Sequence, residues 1–124
     1  MKPKNNFSKD LLFIDNIDEK VSSITQKLRE DIQKVIKRKG AVIGISGGID
    51  SSVTLALTVK AIGAENVLGI MLPEKDSSGE SKELALLLAN QFGIQTLEEN
   101  ITNSLEGFGC YQRRDEAVVS IFPE

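Results

Sequence analysis

At 124 residues, 40% of them apolar, the chain suits one small globular domain. A net charge of −3 gives no overall pull toward nucleic acid or a membrane surface, so neither is expected as a partner. No run approaches the roughly 18 apolar residues of a membrane span or the core of a signal peptide. The single cysteine, Cys110, cannot close an internal disulfide, and the cytoplasm is the expected location.

Residues 1–14 read as a polar N-terminal segment, with 1–10 expected to fray. From about Asp18 to Lys39 the apolar positions Val21, Ile24, Leu28, Ile32, Val35 and Ile36 repeat at three and four residues, predicting a one-faced helix. Gly40 is expected to end it. Lys34, Lys37, Arg38 and Lys39 then crowd its last turn, either complementing the helix dipole or reaching phosphates. The apolar run Ala41–Ile45 predicts a strand buried on both faces.

The next residues are Ser46-Gly47-Gly48-Ile49-Asp50-Ser51-Ser52. Two adjacent glycines let the backbone curl into a concave row of N–H groups without Cβ penalties. The hydroxyls of Ser46, Ser51 and Ser52 add donors, and the helix that follows aims its positive end into the same space. This is a pattern for holding a phosphate chain. Asp50 among those donors makes sense as a Mg²⁺ ligand arriving with the anion; its alternative is a plain helix N-cap.

A helix over about Ser51–Ile62, apolar on most sides and so largely buried, is ended by Gly63, and a strand follows over Val67–Leu72. Ser77 and Glu80 are spaced as a capping box for a third helix starting near Glu80. That helix presents Leu84, Leu87, Leu88 and Phe92 and ends at Gly93, before a strand over Ile94–Leu97. Ser77, Ser78 and Ser81 either contact ligand or merely cap this helix. Beyond Gly107, the run Phe108–Arg114 suggests a turn and a basic helix start, with Arg113 and Arg114 either reaching phosphates or solvated. Helices closed by glycine and alternating with short apolar strands predict an α/β Rossmann-like parallel sheet with helices on both faces. In such folds ligands bind beyond the carboxyl ends of the strands, where both serine loops fall.

Other phosphate and nucleophile motifs fail here. Counting from Gly44, a Walker A pattern would need glycine where Ile49 stands and a lysine after it. A dinucleotide fingerprint would need glycine at Ser46. Gly44-Ile45-Ser46-Gly47-Gly48 fits a nucleophile elbow, but the chain has no histidine for a triad.

The segment Ser46–Ser52 resembles the SGGxDS pyrophosphate loop of the PP-loop ATP pyrophosphatase superfamily. Its setting is most similar to NAD synthase: the long helix before the loop, Gly69-Ile70-Met71-Leu72-Pro73, and the serine-bearing loop Glu74–Ser81 leading to Phe92-Gly93-Ile94. The resemblance covers residues 15–102, and 15–124 is taken as the N-terminal part, about half, of such a synthase domain. An incomplete fold of the adenine nucleotide alpha hydrolase-like type is implied.

The resemblance implies ATP-dependent amidation of nicotinic acid adenine dinucleotide to NAD through an adenylate, releasing AMP and pyrophosphate. It implies that Gly44, Ser46, Gly47, Gly48, Asp50, Ser51, Ser52 and Leu72 bind ATP, that Asp50 holds Mg²⁺, and that Ser77, Ser78 and Ser81 form a substrate loop. Leu72 would pack on adenine, and Met71 stands where some members carry an arginine that reaches ATP. Further ATP contacts, a second metal-binding carboxylate and most of the acceptor pocket belong to a part of such enzymes not found here, so this stretch alone is expected to be inactive. Only a short segment precedes the first helix, so no fused glutaminase is expected; ammonia would be used free or come from a separate glutaminase. The full-length form is expected to be a homodimer. The alternatives are another PP-loop ligase, tRNA-modifying or GMP-forming, and a non-catalytic adenine-nucleotide-binding module.

Overall fold

The computed structural model describes residues 13–122. The segment expected to be polar over 1–14 therefore lies outside the described residues except for Phe13 and Ile14, which are exposed. Five α-helices and three strands follow: α1 (Ile17–Glu30), β1 (Ala41–Gly44), α2 (Ile49–Ile62), β2 (Val67–Met71), α3 (Gly79–Phe92), β3 (Gln95–Glu98), α4 (Thr102–Gly107) and α5 (Cys110–Ile121). The strands form one parallel sheet in the order β1-β2-β3, with Gly44 opposite Ile70 and Ile70 opposite Leu97.

Helix α1 is shorter than its periodicity predicts. It stays regular to Glu30, widens into a π-helical turn over Asp31–Val35, and stops where Lys37 takes a left-handed φ of 56°. Gly40 does not end it, and Lys37, Arg38 and Lys39 lie beyond its last turn. Gly40 instead allows a close approach, since a Cβ there would stand 2.6 Å from the carbonyl oxygen of Asn66. Only part of the apolar stripe is covered: Leu28 and Ile32 pack on the core, while Val35 and Ile36 are exposed. Arg29 Nε donates 2.6 Å to the carbonyl of Ala61, satisfying an open acceptor in the last turn of α2.

The core lies between one face of the sheet and helices α2 and α3. Ala41, Ile43, Ile45, Val67 and Met71 line that face and meet Leu55, Ala61 and Ile62 of α2 and Ala85 and Ala89 of α3. Helix α2 is less enclosed than its composition suggests, with Val53 at its solvent side. On α3 the alanines are buried, whereas Leu84 and Leu87 are exposed. Below them the sheet face is tightly filled at Gly69, where an added Cβ would meet Ile94 Cδ1 at 2.9 Å and Ile45 Cδ1 at 3.0 Å.

The expectation that β1 is buried on both faces is corrected. Its burial alternates, and Val42 is 64% exposed. Leu97 is exposed on β3, and Leu68 and Ile70 on β2 are half-buried. Both α2 and α3 contribute to the single core on the opposite face, so within the described residues helices cover one side of the sheet.

Candidate functional site

The carboxyl ends of all three strands open into one cleft of about 410 Å³. Its walls are Gly44, Ile45 and Ser46 at the end of β1, Ile70–Pro73 at the end of β2, Ser77, Ser78, Ser81 and Lys82 around the start of α3, and Glu98 at the end of β3. The two serine loops predicted from the sequence therefore face each other across the strand ends. Of the residues expected to bind ATP, Gly44, Ser46 and Leu72 line this cleft directly. Gly47, Gly48, Asp50, Ser51 and Ser52 form the turn at its rim.

That turn is held by its own hydroxyls. Ser46 N–H donates to Ser51 Oγ at 3.3 Å, and Gly48 N–H donates to Ser46 Oγ at 3.3 Å. The two hydroxyls are 3.2 Å apart. Ser51 and Ser52 turn their protons back to the Gly48 carbonyl, at 3.0 and 2.7 Å. Gly47 takes φ 77°, a left-handed conformation that glycine adopts without strain.

Helix α2 begins with Gly48 as its N-cap. A glycine cap has no side chain to satisfy the first-turn amides, so they remain open for an anion while the dipole favours negative charge. This also decides one alternative for Asp50. It sits inside the first turn, two residues past the cap, and is not the N-cap. Its exposed carboxylate stands on the same turn as the phosphate-type donors.

The second loop differs in detail from the capping box expected of Ser77 and Glu80. Ser78 is the N-cap of α3 and accepts from Ser81 N–H at 3.3 Å; the two hydroxyls lie 2.8 Å apart. Because Gly79 is already helical, Ser77 falls one residue too early to cap. It closes a turn instead, its Oγ accepting from Glu74 N–H at 3.0 Å. Ser78 thus caps the helix through the Ser81 amide, and both serines line the cleft.

Two cleft residues were not legible as such. Lys82 places its ammonium 2.6 Å from Glu98 Oε2. Among the described residues Lys82 is the only basic residue of the cleft wall, and Glu98 its only carboxylate. The available signals were weak: Lys82 follows Ser81 directly, and Glu98 is the residue after the predicted end of the third strand. Arg114 is bound to Asp76 and Asp115, at 2.7 and 2.9 Å, so the structure places it on the second loop. Arg113 leans toward Cys110 Sγ at 3.7 Å.

Comparison with known proteins identifies the family. The sequence profile described as NAD synthase matches residues 20–120. The NH₃-dependent NAD⁺ synthetase of Rhizobium meliloti is 45% identical over 118 residues, covering 95% of this chain and 35% of the relative. That of Methanocaldococcus jannaschii is 40% identical over 100 residues, covering 81% and 38%. The chain thus spans about 35% of the length of such relatives, less than the half expected from the resemblance.

Among solved structures, the glutamine-dependent NAD⁺ synthetase of Acinetobacter baumannii in complex with ADP is similar at a TM-score of 0.60 and 31% identity. The match covers 84% of this chain and 19% of that one. The NH₃-dependent NAD synthetase of Campylobacter jejuni gives 0.58 and 32%, covering 71% and 39%. The NMN synthetase of Francisella tularensis gives 0.59 and 28%, covering 76% and 40%. With the profile match running from the first turn of α1 nearly to the end of α5, and with a serine-glycine turn and cleft at the carboxyl ends of its parallel strands, the chain belongs to the NAD synthase family.

Proposed function

We propose that the protein is an ATP-dependent ligase that converts nicotinic acid adenine dinucleotide to NAD, with this chain supplying the ATP-phosphate loop. The observation that carries the reading is the uncapped start of α2 beside Ser46, Gly47 and Gly48. The amides of Ser46 and Gly48 are engaged only by hydroxyls at 3.3 Å, the long end of the hydrogen-bond range. Phosphate oxygens would replace them with shorter, charge-assisted bonds.

A carboxylate oxygen of the acid attacks the α-phosphorus of ATP, and pyrophosphate leaves with the electron pair of the broken P–O bond. Ammonia then attacks the acyl carbon, AMP leaves, and a proton is released. The turn around Gly47 and Gly48 holds the charge that builds on the departing pyrophosphate. Leu72 offers an apolar edge to the adenine ring.

Among the described residues no three His, Cys, Asp or Glu side chains converge as a metal site. One carboxylate on a phosphate-binding turn nonetheless suits magnesium, which is held by one or two carboxylates and by substrate phosphates. Asp50 would be that ligand, and the ion would neutralise phosphate charge. Relatives named as NH₃-dependent support free ammonia as the nitrogen source. A cytoplasmic homodimer is the form in which we expect the full-length enzyme; no helix among the described residues is long and apolar enough to cross a membrane.

The test is the full-length protein with ATP, Mg²⁺, ammonium and nicotinic acid adenine dinucleotide. NAD, AMP and pyrophosphate should appear in equal amounts, and residues 1–124 alone should yield none. The similarity to an NMN synthetase favours one second reading, amidation of the corresponding mononucleotide, which the same assay separates by its acid substrate. ATP binding with no turnover on any acid would leave a non-catalytic nucleotide-binding module.

A further inference from the structure

Three successive residues of the loop between β2 and α3 are each held by the α4–α5 hairpin. Glu74 Oε2 accepts a 2.6 Å hydrogen bond from the Tyr111 hydroxyl. The Lys75 ammonium lies 3.7 Å from the centroid of the Tyr111 ring and 3.7 Å from Glu106 Oε1. Asp76 Oδ2 is 2.7 Å from Arg114 Nη1, and the Arg114 guanidinium is 5.3 Å from the same ring centroid. Tyr111, half-buried, is the hub of this set.

The contacts lead directly to the cleft. Glu74 is bound to Ser77 twice through its backbone: Ser77 N–H donates to the Glu74 carbonyl, and Glu74 N–H donates to Ser77 Oγ, both at 3.0 Å. Ser77 and Ser78 follow as cleft wall. The hairpin is brought alongside because the segment after β3 continues past the strand ends, with Ile101 N–H donating 3.0 Å to the Pro73 carbonyl. Exposed ion pairs contribute little stability singly. Their placement on three consecutive loop residues makes geometry, and not stability, their chief effect.

We propose that Tyr111 is a positioning residue of the nucleotide cleft: through Glu74 its hydroxyl fixes the Glu74–Ser77 turn and so sets where Ser77 and Ser78 stand toward bound nucleotide. This rests on the reading of the cleft as an adenine-nucleotide site. The α4–α5 hairpin is then the brace of the second serine loop.

The test uses the full-length protein and two variants. Tyr111→Phe keeps the ring under both cations and removes only the hydroxyl; Glu74→Gln keeps an acceptor for it. Tyr111→Phe should speed hydrogen exchange at the Ser77–Ser81 amides without ligand. It should weaken ADP binding and raise the KM for ATP by about three- to tenfold, the range commanded by one net hydrogen bond, with kcat changed less than twofold. Glu74→Gln should stay near wild type in all of these.

Unchanged exchange at Ser77–Ser81 in Tyr111→Phe overturns the proposal, as does faster exchange with unchanged ADP affinity. If the wild-type protein binds neither ADP nor ATP, the nucleotide reading of the cleft fails, and with it this role for Tyr111. In that case exchange at Ser77–Ser81 still reports whether the hydroxyl braces the loop, so the two failures are told apart.

Discussion

Gly47 and Ser81 join the two serine loops by backbone contact: a Cβ built on Gly47 would stand 2.7 Å from the Ser81 carbonyl oxygen and 3.0 Å from Leu84 Cβ. Gly47 also has φ 77°. An alanine there must push back the first turn of α3 and hold a left-handed backbone that costs an L-residue about 1–2 kcal/mol. Gly47→Ala should therefore lower Tm by several degrees and weaken ADP binding at least tenfold. At Gly48 an added Cβ meets only Ser46 Oγ, at 3.3 Å, so Gly48→Ala should keep its Tm within about two degrees. Thermal melts and calorimetric titration of both variants check the contrast.

Asp50 is the residue for which metal dependence should be decisive. Its carboxylate lies in the first turn of α2, where the helix dipole stabilises a negative charge by about 0.3–1 kcal/mol. Asp50→Asn should consequently melt only slightly below wild type. Its affinity for ATP should become independent of added Mg²⁺, whereas the wild-type protein should bind at least tenfold more tightly with the ion than without it. Titrations with and without EDTA measure the difference, and an undiminished Mg²⁺ effect in Asp50→Asn would remove the metal role.

The parts of this molecule that depend on short stretches of chain were legible in its sequence. The turn Ser46–Ser52 declares itself because the glycines, hydroxyls and helix start it needs are contiguous, and β2 fell within one residue of its place. The misread parts depend on what packs against what. Leu84 and Leu87 looked like the core face of α3, yet Ala85 and Ala89 occupy it, packed in one cluster with Leu55 and Ile94. The composition of β1 suits a strand enclosed on both sides, but Val42 is bare because α2 and α3 share one face. Lys82 and Glu98 are joined only by the fold, from different elements, so neither spacing nor residue type marked them.

Lys82 is the only cation of the cleft wall among the described residues, and Glu98 neutralises it at 2.6 Å. Both side chains are about half exposed, so the pair itself should contribute no more than about 1 kcal/mol to stability. Bound phosphate would offer Lys82 a more highly charged partner. Lys82→Met should weaken ADP binding by about three- to tenfold and flatten its dependence on salt, with little change in Tm. Glu98→Gln should do the opposite and tighten binding at low ionic strength. Equal affinities in all three proteins across a salt series would restrict the pair to tying α3 to β3.

The phenol of Tyr111 gives the brace a pH signature. Burial of the ring raises its pKa above the ordinary value of 10.0, and the hydrogen bond to the Glu74 carboxylate and that group's charge push it further up. The nearby Thr102 side chain and Lys75 backbone act in the opposite sense. The neighbouring cations are Lys75 and Arg114. With the folded-state pKa raised, the folded protein holds the phenolic proton more tightly than the unfolded chain does. Its stabilising effect is therefore fully present below pH 10.0 and is lost as pH rises from there through the folded-state pKa. Wild-type Tm should fall above pH 10 more steeply than that of Tyr111→Phe, and the two curves should run parallel between pH 7 and 9. A pair of melting series over pH 7–11.5 measures this, and parallel curves throughout would show that Tyr111 carries no proton linkage to folding.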